Sequence, residues 1–345
     1  MTAVAGVAPR LRVEPGIDVG RPIRAAVLTN PRGGFNQRRS NLARVRAAVA
    51  PFDVPHIEAS TPTEIHRAAV DATRDGTELL IVNGGDGTVQ MVLTALFAAN
   101  PPVPQPLLAV VPGGTSNTIP GDVGWQKQPP RAIAAALQAA ARGRLDGHVV
   151  HRAVMQIETS LWEQPLCALQ FSAGAVYNAI RFAKDRVESR GAHGATGPAV
   201  TLAWFVLSIV SGRAGEIFPP MRMTGTMDST PVASGPQLGL VASTLDHLFL
   251  GIRPFWGDRR GPLRYSAIAY RPRRFLLALI PALRGRRGRW LTPENGYESR
   301  DGERLELTID AGFTLDGELF EAGPETRVRI TAPHTAAFLR AGAPA

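Results

Sequence analysis

The stretch Leu79-Leu80-Ile81-Val82-Asn83-Gly84-Gly85-Asp86-Gly87-Thr88 decides the fold of this chain. Its four apolar residues predict a buried strand, and a helical pattern opens directly afterwards at Val89. Glycines let a ligand approach the backbone closely, and the start of a helix adds partial positive charge. The stretch therefore predicts a phosphate-binding turn, although Asp-Gly turns also occur in α/β proteins that bind no nucleotide. Asp86 would repel a bare phosphate, which indicates a phosphate that arrives with Mg²⁺.

Composition narrows the class of protein. The chain has 345 residues, of which 44% are hydrophobic, and this suits two packed domains better than one. The net charge of +9, from 38 basic and 29 acidic residues, favours anionic partners such as nucleotide phosphates or an acidic membrane surface. The basic residues form no dense stripe and only 6% of the residues are aromatic, so we expect no nucleic-acid partner.

The expected compartment is the cytoplasm. Cys167 is the single cysteine, so no disulfide framework exists, and the N-terminus lacks the apolar core of a signal peptide. The longest apolar run, 199–210, is shorter than the ~20 residues that cross a bilayer, so any membrane contact would be peripheral. Arginines at 284–289 follow the apolar run 275–280, a combination that suits anionic lipid headgroups and equally a basic loop after a buried element.

Strand and helix patterns alternate along the first part of the chain. Apolar strands are expected at 23–28, 54–57, 79–82 and 107–111, with helices around 42–49, 62–73, 89–96 and 131–141. This alternation predicts an α/β N-terminal domain with a parallel sheet. After about residue 147, short β-prone runs alternate with Gly and Pro turns, which predicts a second, mainly antiparallel β domain interrupted by an apolar helix at 198–211. We expect a flexible arm over 1–22, an α/β domain over 23–147, and a β-rich domain over 148–345 whose last residues can pack back on the first domain.

Three glycine-rich turns follow predicted strands. Asn30-Pro31-Arg32-Gly33-Gly34 comes after the first strand, Gly84 to Thr88 after the third, and Pro112-Gly113-Gly114-Thr115-Ser116-Asn117 after the fourth. Because ligands of parallel α/β sheets bind outside the carboxyl ends of the strands, we expect the three turns to converge on one site.

Four motifs in this order resemble the diacylglycerol kinase/sphingosine kinase family, and above all its soluble bacterial lipid kinases. They are Asn30-Pro31 with Gly34, Gly84 to Thr88, Gly114 to Asn117, and Asp316-Gly317-Glu318. The resemblance covers nearly the whole chain from about residue 23. It implies an NAD kinase/phosphofructokinase-like ATP-binding domain, a β-rich lipid-binding domain and a cleft between them. The implied reaction moves the γ-phosphoryl group of ATP, with Mg²⁺, to the hydroxyl of a diacylglycerol-like or sphingoid lipid.

The resemblance also implies roles for individual residues. Nucleotide contacts fall to Asn30, Pro31, Arg32, Gly33, Gly34, Thr61, Gly84, Gly85, Asp86, Gly87, Thr88, Val89, Gln90, Thr115 and Asn117. The catalytic base comes from the acidic motif, which offers both Asp316 and Glu318; in isolation this motif equally predicts a β-hairpin with an Asp-Gly turn. The resemblance assigns metal contacts to Asp86 on the nucleotide side and, at a structural Mg²⁺ site, to Asp246 and to the backbone carbonyls of Ser243 and Leu248.

The chain departs from the family pattern in places. Many relatives carry Asp where this chain has Thr118, and Asp122, four residues on, is a candidate substitute. Gln90 stands where Asn is common, and His247 where Gly is usual. These departures bear on the Mg²⁺ geometry more than on the class of reaction.

Other functions remain as alternatives. An NAD kinase shares the central glycine motif and acts on a soluble substrate, but the third and fourth motifs argue against it. A catalytically weak nucleotide-binding regulator is harder to exclude, given Thr118. A P-loop NTPase is excluded because no Gly-x-x-x-x-Gly-Lys-Ser/Thr exists, and residues 30–35 do not supply the Gly-x-Gly-x-x-Gly of a Rossmann dehydrogenase. The lipid itself and the oligomeric state, a homodimer included, are not readable from the sequence.

Overall fold

The computed structural model describes residues 13–14, 19–97, 104–125, 127–145, 147–190, 219–258 and 260–341. The helices and strands of the first part are β1 (Val13–Glu14), β2 (Ala25–Thr29), α1 (Arg39–Val49), β3 (His56–Glu58), α2 (Pro62–Arg74), β4 (Leu79–Gly84), α3 (Asp86–Phe97), β5 (Leu107–Pro112), α4 (Thr118–Val123) and α5 (Pro129–Ala141).

Those of the second part are β6 (Gly147–Thr159), β7 (Leu166–Ala168), β8 (Gln170–Gly174), α6 (Ala175–Arg190), β9 (Met221–Met227), β10 (Thr230–Pro231), β11 (Gly235–Ser243), β12 (Leu263–Ala269), α7 (Phe275–Leu283), β13 (Tyr297–Gly302), β14 (Arg304–Ile309), β15 (Phe313–Leu315), β16 (Glu318–Phe320) and β17 (Thr326–Ala341). Short 3₁₀ turns lie at Phe249–Gly251 and Pro293–Asn295. The apolar helix expected at 198–211 lies outside the described residues.

A parallel sheet with the strand order β3-β2-β4-β5 forms the centre of the first domain. Side chains alternate between its two faces along each strand. In β4, Leu80 and Val82 pack with the helices α2 and α3, whereas Leu79 and Ile81 pack with α1 and α5. Helices therefore cover both faces, which is why the first four residues of β4, Leu79 to Val82, are all apolar and fully buried.

The helix α3 begins earlier than the apolar pattern suggests. The amides of Thr88 and Val89 both donate to the carbonyl of Gly85, at 2.9 and 3.2 Å, so the first turn starts at Asp86 rather than at Val89. Apolar periodicity could not reveal this turn because it holds Asp, Gly and Thr. The glycine motif is thus divided: Gly84 ends the strand, and Asp86 to Thr88 open the helix.

The second domain is mainly antiparallel. Its strand β11 pairs with β12 on one edge and with both β8 and β9 on the other. The strands enclose a core that includes the fully buried aromatic side chains of Phe171, Tyr265 and Phe313. The predicted fold class, a parallel α/β domain followed by an antiparallel β domain, is confirmed.

The last described strand joins the two domains. β17 pairs antiparallel with β6 over most of its length and with β14 at its start, and it meets β5 in parallel register where Phe338 faces Leu108. Phe338 belongs to one hydrophobic cluster with Val110 of the first domain and Leu245 of the second. At the other end of the described chain, β1 lies within the segment expected to be a flexible arm and pairs with β6.

Candidate active site

The three glycine-rich turns meet at the carboxyl edge of the parallel sheet. The amide of Asn30 donates to the carbonyl of Asn83 at 2.9 Å, and the Nδ2 of Asn30 donates to the Oγ1 of Thr88 at 2.9 Å. The third turn joins through the amide of Gly113, which donates to the carbonyl of Gly84 at 3.1 Å. The turns therefore form one hydrogen-bonded surface, as their positions after parallel strands predict.

Close backbone contact explains why glycines are needed here. A Cβ atom at residue 114 would overlap the Cα of Gly85, so the second and third turns can touch only through two glycines. Gly33 and Gly34 lie against Gly113 and Thr115 in the same way. The backbone groups thus stay uncovered by side chains of their own, which suits the approach of phosphate oxygens.

Asn117 shapes its own turn. Its Oδ1 accepts a hydrogen bond from the amide of Gly114 at 2.8 Å, and its Nδ2 donates to the carbonyl of Gly114 at 3.0 Å. The residue adopts a positive φ of 49°, which Asn tolerates better than most side chains. Its amide is therefore used within the protein, while the neighbouring Thr115 is exposed and accessible to a ligand.

Asp86 holds the third turn against the second. Its carboxylate is buried and accepts hydrogen bonds from the Ser116 hydroxyl at 2.8 Å and from the amides of Thr118 and Ile119 at 3.0 and 2.9 Å. Burial raises the pKa of Asp86, and the amides of Ile119 and Thr118 oppose that rise. Because the carboxylate is turned inward to α4, this geometry does not fit the expected role of Asp86 as a direct Mg²⁺ ligand.

Asp316 lies in the two-residue turn between β15 and β16. Asp316 and Gly317 have φ values of 47° and 85°, the pair of left-handed residues that a tight hairpin of this kind requires. The Asp316 carboxylate accepts hydrogen bonds from the amide of Leu169 at 3.1 Å and from the amide of Gln170 at 2.8 Å. Burial raises the pKa of Asp316 well above its usual range, and the nearby charge of Asp86 raises it further, against the effect of these amides.

Glu318, from the same hairpin, reaches the glycine turns. Its carboxylate lies so close to Gly87 that a Cβ atom at residue 87 would overlap it. Glu318 is half-buried, whereas Asp316 is only 6% exposed. The second domain therefore places one accessible carboxylate at the first turn of α3 and uses the other to fix the hairpin.

Three further residues of the expected nucleotide set turn their side chains elsewhere. Val89 is fully buried in the core, and the Gln90 amide donates to the carbonyl of Cys167 at 3.1 Å. Thr61 begins α2, where its Oγ1 accepts from the amide of Glu64 and the Glu64 carboxylate accepts from the amide of Thr61, at 3.3 and 3.1 Å. The side chains of Val89, Gln90 and Thr61 are therefore all engaged within the protein.

The first turn keeps two positions at the surface. The amide of Arg32 donates to the Oδ1 of Asn30 at 2.9 Å, which closes the turn locally, and the Arg32 side chain is exposed. Pro31 is half-buried beside it. An exposed guanidinium at the edge of the glycine turns suits an anionic ligand.

The residues expected at a structural Mg²⁺ site already have other partners. The Ser243 hydroxyl donates to the carbonyl of Leu169 at 2.7 Å, and the carbonyl of Leu248, the atom expected to contact the metal, accepts from the amide of Gly251 at 2.9 Å. Asp246 forms ion pairs with two arginines of the second domain. Across the described ranges, no three or more His, Cys, Asp or Glu side chains gather where they could hold a metal ion. These residues therefore do not fit a bound Mg²⁺.

Sequence reasoning missed two residues that organise this region. Ser116, which holds Asp86, lies inside the third glycine motif but carried no expected role of its own. Arg152 is 4% exposed in β6, where a period of two places it on the same face as Val150 and Val154. The sequence pattern that could have indicated Arg152 is a lone arginine on the apolar face of a strand.

A surface cavity of about 500 Å³ lies apart from this site. Its lining comes from β6, β9, β14 and β17, and it includes Glu158, Glu306, Arg327 and Arg329. It shares no lining residue with the glycine turns, so the chemistry argued here does not depend on it.

The described residues form a parallel α/β domain whose glycine turns meet a carboxylate of the antiparallel β domain. Residues 24–146 match the family model of the diacylglycerol kinase catalytic domain. Over 119 residues the chain is 31% identical to the eye-specific diacylglycerol kinase of Drosophila melanogaster, a match that covers 34% of this chain and 8% of that protein. The resemblance to the diacylglycerol kinase family is therefore confirmed.

Solved structures share the fold. A diacylglycerol kinase from Bacillus anthracis str. Sterne is 15% identical, with a TM-score of 0.56 over 92% of this chain and 96% of that one. A second structure from the same strain gives a TM-score of 0.61 over the same shares. At this identity the similarity shows a common two-domain fold.

Proposed function

We propose that this protein is an ATP-dependent lipid kinase that phosphorylates the hydroxyl of a diacylglycerol-like or sphingoid lipid. One observation carries the proposal: the Glu318 carboxylate of the second domain lies against Gly87, where three glycine turns meet at the start of α3. Phosphoryl transfer needs a site for the phosphates and a proton acceptor for the attacking hydroxyl, and this arrangement offers both.

The glycine turns would hold the nucleotide. The helix dipole favours negative charge at the start of α3, ahead of the amides of Thr88 and Val89 that already donate to Gly85. The hydroxyl of Thr115 and the guanidinium of Arg32 lie at the same edge and are exposed. When bound with the nucleotide, Mg²⁺ would supply neutralisation of the phosphate charge.

Glu318 would act as the base. It accepts the proton of the lipid hydroxyl while the oxygen forms its bond to the γ-phosphorus and the bond to the leaving ADP breaks. Asp316 is a positioning residue, because its oxygens are occupied by the amides of Leu169 and Gln170. The half-buried position of Glu318 leaves it accessible to a substrate, which Asp316 is not.

The lipid would be reached at an anionic membrane surface. None of the helices in the described ranges is long and apolar enough to cross a membrane. On α7, the side chains of Leu276, Leu277 and Ile280 are 62%, 54% and 60% exposed, while Ala278 faces the core. Exposed arginines flank this helix at both ends: Arg273, Arg274, Arg284, Arg286 and Arg289. An apolar face between cations suits peripheral contact with acidic headgroups, at the cytoplasmic side of a membrane.

The test is phosphorylation of a lipid panel. The purified protein is incubated with γ-labelled ATP and Mg²⁺ together with diacylglycerol, sphingosine, ceramide or NAD, and the products are separated by thin-layer chromatography. We expect label in one lipid class. Label in NAD alone would favour the NAD kinase alternative, and nucleotide binding without label in any acceptor would favour a regulator.

A further inference from the structure

A buried arginine stands between two carboxylates from different parts of the fold. Arg152, in β6, donates from Nε to Asp122 of α4 at 2.8 Å and from Nη2 to Asp246 at 2.9 Å. Its Nη1 donates to the carbonyl of His151 at 3.1 Å. We propose that Arg152 takes the place of a structural divalent cation, so that this junction of the two domains is held without a metal. The proposal is independent of the lipid kinase activity.

The surroundings of Asp122 are those of an enclosed ion. Asp122 is 1% exposed and accepts further hydrogen bonds from the Nδ1 and the amide of His247 at 3.0 and 3.2 Å. The guanidinium of Arg152 is always charged and binds this carboxylate, and both oxygens of Asp122 are occupied.

The charges around Arg152 are already balanced, so a metal cation has no role there. Arg264 adds an ion pair to Asp246 at 3.3 Å, so two guanidinium groups face the two carboxylates of Asp122 and Asp246. A bound Mg²⁺ would add two uncompensated positive charges to this buried cluster. Mg²⁺ also releases its coordinated water molecules only where several oxygen ligands replace them. It would have to displace Arg152, whose guanidinium binds carboxylates with a fixed geometry and is always charged.

The five residues Asp122, Arg152, Asp246, His247 and Arg264, hereafter the Arg152 cluster, also explain the departures from the family pattern. Thr118 removes a carboxylate from the expected metal network, and Asp122, one turn further along α4, supplies one to Arg152 instead. His247 replaces a glycine and donates to that same Asp122. Asp122 and His247 are therefore both hydrogen-bonded within the Arg152 cluster.

The Arg152 cluster connects the segments that hold both acids of the active site. On one side lies α4, whose first amides hold Asp86. On the other side lies the end of β11, where the Ser243 hydroxyl donates to the carbonyl of Leu169 and the amide of Leu169 donates to Asp316. Arg152 therefore links the two segments next to the site.

Thermal unfolding of the nucleotide-free protein in Mg²⁺ and in EDTA tests the proposal. We expect the wild type to unfold at the same temperature in both. Arg152→Ala should unfold at a clearly lower temperature and recover part of the loss in Mg²⁺ or Mn²⁺, because the cation can enter between Asp122 and Asp246. Arg329→Ala is the matched control, since Arg329 pairs with Glu158 and Glu306 at the surface and its loss should give no metal response.

Direct metal counting supplies the second readout. In a Mn²⁺ titration followed by electron paramagnetic resonance without nucleotide, Arg152→Ala should bind about one ion more than the wild type, and Arg152→Ala/Asp246→Asn should lose it. A wild type that is destabilised by EDTA, or a folded Arg152→Ala that gains no ion, overturns the proposal. If Arg152→Ala does not fold, Arg152→Lys replaces it: added Mn²⁺ should leave its unfolding temperature unchanged, because the ammonium keeps the charge, and an increase overturns the proposal.

Discussion

Glu318 and Asp316 belong to one hairpin but differ in what their carboxylates contact, and substitution should separate their roles. Glu318→Gln removes the proton acceptor while keeping the shape, so we expect phosphoryl transfer to fall by about 10²–10⁴-fold with unchanged unfolding temperature. Asp316→Ala leaves the buried amides of Leu169 and Gln170 without an acceptor, so we expect a loss of about 1–3 kcal/mol in unfolding free energy. Steady-state kinetics and urea unfolding on both variants make the comparison; full activity of Glu318→Gln would contradict the assigned base.

Asp316 also makes stability depend on pH. Its pKa is raised in the folded state, so the folded protein holds this proton more tightly than the unfolded chain does. The resulting stabilisation is complete below the ordinary pKa of 3.8 and is lost as the pH rises through the folded-state pKa. Asp316→Asn has no such proton, so the unfolding free energy of the wild type should fall relative to this variant over that range. Urea unfolding of both proteins at a series of pH values measures the difference, and a constant difference would exclude the effect.

Gly87 is the residue whose missing side chain makes room for Glu318. Gly87→Ala places a methyl group against that carboxylate, so we expect a large loss of activity although alanine favours the helix by about 1 kcal/mol. Gly121→Ala in α4 is the matched control, because no atom lies within 4 Å of the position its Cβ would take. Activity and thermal unfolding are measured for both variants. Equal activities would show that the contact between residue 87 and Glu318 does not matter for catalysis.

At the level of elements, α7 presents an apolar face that the fold leaves uncovered. Replacing Leu276 and Ile280 with Ser removes apolar surface without touching the buried Ala278, and each buried leucine-sized side chain is worth about 1.5–3 kcal/mol. We expect binding to phosphatidylglycerol-containing vesicles to weaken at least about tenfold, which corresponds to 1.4 kcal/mol. Leu161→Ser, at a leucine that is 42% exposed elsewhere, is the control.

Vesicle composition and salt complete that test. Because arginines flank α7, binding of the wild type should weaken in vesicles of phosphatidylcholine alone and at high ionic strength. Equal binding of the double variant and the wild type in a sedimentation assay would show that α7 is not the docking helix.

Elements were predictable where their pattern is local. Four consecutive apolar residues predict β4, and the Asp-Gly pair at Asp316 predicts the hairpin. The start of α3 could not be predicted, because hydrogen bonds to Gly85 define it and apolar spacing does not. The contact between Gly87 and Glu318 and the pairing of Arg152 with Asp122 join segments far apart in sequence, so only the folded chain reveals them.

The whole molecule depends on β17, which belongs to both domains. The fully buried ring of Phe338 packs between them, and the indole nitrogen of Trp125 donates to the carbonyl of Leu339 at 3.1 Å. Phe338→Ala should therefore cost about 3–5 kcal/mol and lower the temperature of one shared unfolding transition. Differential scanning calorimetry checks this outcome: two separate transitions, only one of them shifted, would mean that the domains unfold independently.

The position of β17 along the chain has a consequence for synthesis. The parallel sheet is made from the first third of the chain, yet the edge of β5 finds its partner only in a strand at Thr326–Ala341. While the ribosome makes the second domain, that edge has unpaired amides and carbonyls and can pair with other chains. We therefore expect a chain shortened before Thr326 to aggregate more readily than the full chain, because this edge of β5 would stay without β17.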